Sequence, residues 1–118
     1  MDLLLDAGNT RLKWGLRDGA SWRGQGAVAI GALDGLAAVL EAAGPIRRVL
    51  GANVAGTEVA ARLAGLLAVR ALAPTWIAPA ASAFGVHNRY IAPARLGADR
   101  WAALVGARAL HGAAALVV

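Results

Sequence analysis

A chain of 118 residues, 58% of them apolar, is long enough for one domain with a real core and too apolar for a disordered tail. It has no cysteine, which excludes disulfides, thiolate nucleophiles and thiolate metal sites, and its two histidines, His87 and His111, are too few and too far apart to suggest a metal cluster. The net charge is +5, with eleven of twelve cations arginine and only Arg47-Arg48 adjacent, so no nucleic-acid tract stands out; the charge reads as a solvated surface first, and as attraction for anionic ligands such as nucleotides second.

Residues 2–6 predict a first strand, short and apolar, that stops at Asp6-Ala7-Gly8-Asn9-Thr10. Residues 11–17 predict a second, with Leu12, Trp14 and Leu16 on one face and Arg11, Lys13 and Arg17 on the other. Asp18-Gly19 signals a hairpin into a third strand over 20–28. A helix is expected over 31–43, carrying Leu33, Leu36, Ala37 and Leu40 on one face and ended by Gly44-Pro45. A strand follows at 46–51, then a helix at 57–70 capped by Thr57, with Val59, Leu63, Leu66 and Leu67 as its apolar stripe. Residues 75–78 predict another strand and 79–96 a loop with an ambiguous piece at 84–87. A third helix covers 97–110, with Trp101, Leu104 and Val105 inward, and 113–118 begin a strand. The order βββ-α-β-α-β-α-β predicts an α/β fold, a mixed sheet flanked by helices.

Acidic residues at positions 2 and 6 and the lack of a basic leader argue against a signal peptide. No apolar run approaches the roughly 20 residues of a membrane span. The expectation is a soluble cytoplasmic protein without membrane or nucleic-acid partners. The apolar ending HGAAALVV reads as a strand cut in the middle, which predicts the front part of a longer protein.

Two stretches carry chemistry. In the first, Gly8 lets backbone approach a ligand, successive amides of such a turn can cradle an anion, Asp6 can hold Mg²⁺ through its water shell, and Lys13 can meet a phosphate. The plainer alternative is an Asx-type turn in which Asp6 and Asn9 bond local amides. It is neither a Walker nor a dinucleotide-binding glycine motif. In the second, NRYIAPARLGADRWAALVGAR, Asp99 opens a helix. It is either an ordinary N-cap or a carboxylate that takes a proton from an attacking hydroxyl. Arg100 can fork onto a substrate carboxylate, and Tyr90 can close over a small substrate.

Taken together, DAGNTRLKWGL and, about ninety residues later, N-x-Y…P-x-x-LGADRWAALVGA resemble the type III pantothenate kinase family (the Bvg accessory factor family), in the wider group of acetate and sugar kinases, Hsp70 and actin. The likeness spans residues 2–118. It implies a ribonuclease H-like (actin-like ATPase) domain over 1–112, with 113–118 as the first strand of a second such domain, and it implies ATP-dependent phosphorylation of pantothenate. By that resemblance Asp6, Ala7, Gly8, Asn9, Thr10, Arg11, Leu12 and Lys13 form the first phosphate-binding loop, with Asp6 near the metal. Gly97, Ala98, Asp99 and Arg100 bind pantothenate together with Tyr90, and Asp99 is the general base. The resemblance also implies Mg²⁺, a monovalent cation (K⁺ or NH₄⁺) and a homodimer. The family's next motif, D-x-G-T, is absent, so the 118 residues alone are expected to be inactive. Two alternatives stay open: a ribonuclease H-like nuclease, which needs several carboxylates converging on two metals, and a non-catalytic nucleotide-binding or regulatory module.

Overall fold

Strict alternation along the first strand organises the sheet. In β1 (Asp2–Ala7), Leu3, Leu5 and Ala7 are buried, while Asp2, Leu4 and Asp6 are only partly covered. The computed structural model describes residues 1–79, 82–83, 86–87 and 97–111. The chain divides into two compact units, Met1–Trp76 and Ile77–Val118.

In the first unit β1 pairs antiparallel with β2 (Arg11–Asp18), which pairs antiparallel with β3 (Ser21–Ala29). On its other side β1 pairs in parallel with β4 (Arg48–Asn53), and β4 in parallel with β5 (Pro74–Trp76). The five-stranded mixed sheet therefore runs β3-β2-β1-β4-β5. The crossovers carry α1 (Gly35–Ala42) and α2 (Thr57–Ala68). Leu36 and Leu40 of α1, with Val59, Leu63 and Leu67 of α2, join Leu3, Leu5, Leu12, Leu16 and Val49 of the sheet in one core. No buried polar or charged side chain occurs among the described residues.

In the second unit Ser82–Ala83 (β6) and Val86–His87 (β7) form a short antiparallel ladder, followed by α3 (Ala98–His111). This ladder occupies the region expected to be loop. Of the expected inward face of α3, Trp101 is buried and Val105 half-buried, while the side chain of Leu104 lies outside the described residues. The expected strand at 113–118 lies outside the described residues.

The strand expected at 46–51 is β4, Arg48–Asn53, and the one expected at 75–78 is β5, Pro74–Trp76; four further expectations shift. The hairpin loop is Gly19-Ala20 rather than Asp18-Gly19: Asp18 still pairs with Ser21, and Gly19 takes the positive φ of 58°. The first helix starts at Gly35, because Ile30–Ala32 form a 3₁₀ turn; Leu33 is buried from the turn between the two. That helix ends at Ala42, where Ala43 is already extended and its N–H reaches the Val39 carbonyl, so Gly44 supplies no left-handed cap. Thr57 does not cap α2: the position before the helix is Gly56, with φ 105° and no side-chain cap. At the other end of α2, Ala71 sits at φ 57°, and the Leu72 and Ala71 amides bond the Leu67 and Ala68 carbonyls, the 6→1 and 5→2 pattern usually given to glycine.

Three tryptophans lie over glycines of neighbouring strands. Trp14 covers Gly26, Trp22 covers Gly15, and Trp76 covers Gly51. Each ring fills the space a side chain would need. Trp22, 52% exposed, also carries the Arg17 guanidinium 5.5 Å from its ring centroid. A Cβ on Gly51 would lie 2.5 Å from the Trp76 ring and 3.2 Å from Leu5 Cβ. Overpacking of this kind costs about 1–3 kcal/mol, so Gly51→Ala is expected to lower stability by that amount in denaturant unfolding. An unchanged midpoint would show that Trp76 can move aside freely.

The start of β1 is clamped to the start of β4 by ion pairs. Asp2 Oδ2 accepts from Arg48 at 2.6 Å and Asp2 Oδ1 from Arg47 at 3.0 Å, while the Arg47 amide bonds the Met1 carbonyl. Hydrogen bonds from Arg48 and then Arg47 hold the Asp2 carboxyl down to about 2, against an ordinary 3.8. A lowered pKa means that the clamp's stabilisation is fully present above the ordinary value and is lost as pH falls through the native one. The gap in unfolding midpoint between the native chain and Asp2→Asn is therefore expected to hold at neutral pH and to close from about pH 4 to about pH 2. A gap independent of pH in that window would assign the effect to packing.

Candidate active site

The β1–β2 connection is tight because both strands stay paired to its edge. The Gly8 N–H donates to the Arg11 carbonyl at 3.0 Å, leaving Asn9-Thr10 as the two-residue tip. The Thr10 carbonyl accepts from the Ile30 N–H at 3.0 Å, so the end of β3 also holds the turn. Asn9, Thr10 and Arg11 are exposed, Gly8 half-buried, and Ala7 and Leu12 lie in the core.

Cross-strand register sets Asp6 directly opposite Lys13. By strand alternation both project from the face opposite the Leu3, Leu5 and Leu12 core. Asp6 is half-buried and Lys13 exposed, and the two form no ion pair. With Leu4, Leu5, Trp14, Gly15, Trp22 and Gln25 they line an open hollow of about 180 Å³. The plainer reading of the turn needs Asp6 and Asn9 to accept local amides. Among the described residues neither side chain makes a hydrogen bond. Among the described residues the turn is held by its backbone bonds and not by these two side chains.

The donor set bears on a metal. The described residues bring no three of His, Cys, Asp and Glu together. A lone carboxylate at a strand end does not make an all-protein cage, but it suits Mg²⁺ kept largely in its water shell and shared with phosphates. The same lack of a carboxylate group weighs against the two-metal nuclease alternative within the described residues.

Parallel pairing sets a second loop beside this turn. Ala7 and Asn53 are register partners at the carboxyl ends of β1 and β4, the end of a sheet where α/β folds bind ligands. The Val54 N–H donates to the Ala7 carbonyl at 2.9 Å. The Asn53 side chain closes its own loop: Oδ1 accepts from the Ala55 N–H and Nδ2 donates to the Gly56 carbonyl, both at 2.8 Å. Sequence reasoning passed over this stretch. The signal was Asn53 and Gly56 flanking a strand-to-helix junction, residue types that serve irregular backbone.

In the second unit Asp99 is the second residue of α3 rather than the residue before it. Its Oδ1 accepts from the Arg100 N–H at 2.8 Å, and the first helical bond runs from the Trp101 N–H to the Gly97 carbonyl. Asp99 is half-buried, as are Gly97 and Ala98, while Arg100 is exposed. Tyr90 lies outside the described residues. The structure thus gathers Asp6 to Lys13 in one hairpin and Gly97 to Arg100 at one helix start, and each group stands within its own unit.

Comparison with known proteins places these two groups in one family. The sequence model of the type III pantothenate kinases matches residues 2–118. Over the whole chain the sequence is 52% identical to a type III pantothenate kinase of Aromatoleum aromaticum, of which it covers 49%. It is 45% identical to that of Azoarcus sp. (strain BH72), covering 46% of it, and 46% identical to that of Dechloromonas aromatica (strain RCB), covering 50%. The chain therefore spans about half the length of these relatives. With a match that runs from the first strand to the last residue, the chain belongs to the type III pantothenate kinase family.

Proposed function

We propose that the protein phosphorylates pantothenate to 4′-phosphopantothenate with ATP, the first step of coenzyme A biosynthesis, and that this chain supplies the front half of that enzyme. The observation that carries the reading is the family match over both motif-bearing stretches, DAGNT and GADR, supported by a turn held, among the described residues, by its backbone bonds.

In this reading the first unit belongs to a ribonuclease H-like, actin-like ATPase domain over 1–112, and 113–118 open a second. The five-stranded mixed sheet with helices in its crossovers supports that assignment. Asp6 to Lys13 receive the phosphates: backbone amides of the turn face the anion, and Lys13 meets it as a point charge on the strand beside Asp6. Mg²⁺ bound near Asp6 would neutralise phosphate charge. Asp99 accepts the proton of the attacking primary hydroxyl, and its place in the first turn of α3, with one oxygen bonded to the Arg100 amide, holds the carboxylate in a fixed orientation. Arg100 and Tyr90 bind the substrate's carboxylate end with Gly97 and Ala98. Phosphoryl transfer asks for positioning and charge neutralisation more than for a covalent intermediate, which suits a chain without cysteine. A monovalent cation, a homodimer and a cytoplasmic location complete the proposal. No helix among the described residues is long and apolar enough to cross a membrane.

The test is steady-state kinetics of the full-length parent. Asp99→Asn is expected to lower kcat by about 10²–10⁴-fold with little change in KM for ATP. Lys13→Ala is expected to raise KM for ATP about tenfold or more and to leave KM for pantothenate alone. Near-normal turnover by Asp99→Asn would remove Asp99 from the base role. A parent that leaves pantothenate unmodified would end the reading.

A further inference from the structure

We propose that Asn53 is a positioning residue for the phosphate-binding turn, acting through one pinned peptide group; this rests on the kinase reading above. The peptide between Ala7 and Gly8 is the last before the turn tip. Its carbonyl accepts from the Val54 N–H at 2.9 Å, and its N–H donates to the Arg11 carbonyl at 3.0 Å. Both ends of that peptide are therefore held, and its plane sets the direction in which the following residues, Asn9 and Thr10, present their amides.

The Arg11 side of the clamp is ladder geometry that any hairpin provides. The Val54 side is the last bond of the parallel β1–β4 ladder, and its donor stands outside β4. Val54 lies beyond the last residue of β4, in a three-residue connection to α2 that contains Gly56 at φ 105°. Such a connection has many conformations open to it, and loops of this kind order only when something offsets their entropy. Here the Asn53 amide does so with two 2.8 Å hydrogen bonds, one to Ala55 on the near side and one to Gly56 on the far side. The amide carries its acceptor and its donor on two separate atoms, Oδ1 and Nδ2, so it serves both partners at once. The chain of contacts runs from Asn53 to the 54–56 backbone, from Val54 to the Ala7 carbonyl, and from there to the turn. Asn53 itself need touch no substrate.

Loss of the two bonds loosens the 54–56 backbone, lets the end of that ladder fray and lets the Ala7–Gly8 peptide tilt. Small errors of position in a site that works by orientation are costly. The effect should fall on the nucleotide, because the pinned peptide belongs to the Asp6–Lys13 loop and not to the Gly97–Arg100 group.

The experiment compares the full-length parent with Asn53→Ala and Asn53→Ser, the latter keeping one short hydroxyl in place of the amide's separate acceptor and donor. Kinetics are measured with each substrate varied, alongside calorimetric binding of a non-hydrolysable ATP analogue with Mg²⁺ and thermal unfolding. Expected for Asn53→Ala is a fall of about tenfold in kcat/KM for ATP and a matching weakening of analogue binding, with KM for pantothenate within about twofold and Asn53→Ser between the two. Unchanged ATP parameters in a folded variant would overturn the proposal. So would equal losses toward both substrates that track the unfolding midpoint, since that marks a purely structural residue. If Asn53→Ala does not fold, Asn53→Ser carries the same comparison. An active parent with insensitive variants sinks only the role of Asn53, whereas an inactive parent sinks the kinase reading and this inference together.

Discussion

Everything in the first unit depends on β1 being paired on both edges in opposite senses. Antiparallel β2 on one side and parallel β4 on the other satisfy its backbone completely, so the strand lies at the centre of the sheet and cannot slip without losing both ladders. A slip of one residue would exchange Leu3, Leu5 and Ala7 for Leu4 and Asp6 in the core, and a carboxylate would have to be buried without a partner. Hydrophobic register thus delivers Asp6 to the opposite face as a by-product of burying leucines.

The same pairing explains where the chemistry collects. Two parallel strands end at one level, and the connections that leave them are neighbours. One returns at once as the β1–β2 hairpin. The other must enter a helix, and it does so through Asn53 and Gly56. Backbone that has left the ladders and not yet entered a helix is the part of the sheet free to face a ligand, and in this chain it gathers beside Asp6 and Lys13.

Packing on the rest of the sheet follows from an unusual composition. Alanine and glycine are abundant, and they leave the sheet short of volume. Tryptophans laid across glycines restore it at three places, while leucines of α1 and α2 fill the other gaps. The sheet is held at its entry by the Asp2–Arg47–Arg48 cluster, far along β1 from the turn that carries the proposed chemistry.

The sequence by itself determined the three opening strands, the α/β alternation that follows, and the two motif-bearing stretches. Those are local: period-two alternation of Leu12, Trp14 and Leu16 against Arg11, Lys13 and Arg17, the leucine stripes of α1 and α2, and turn residues at Gly19 are readable without a partner. Tertiary structure decided what depends on a second strand or loop. The side chain of Leu33 is buried as the helical stripe predicted, yet its backbone belongs to a turn, since burial and helicity are separate properties. Thr57 had the chemistry of a cap, but Gly56 and the Asn53 amide organise that junction, because a cap needs a backbone geometry no residue type declares. The facing of Asp6 and Lys13 came from the hairpin register, and the pinning of the Ala7–Gly8 peptide came from a strand forty-six residues further along the chain, whose approach is set by burial of the whole sheet rather than by any local signal.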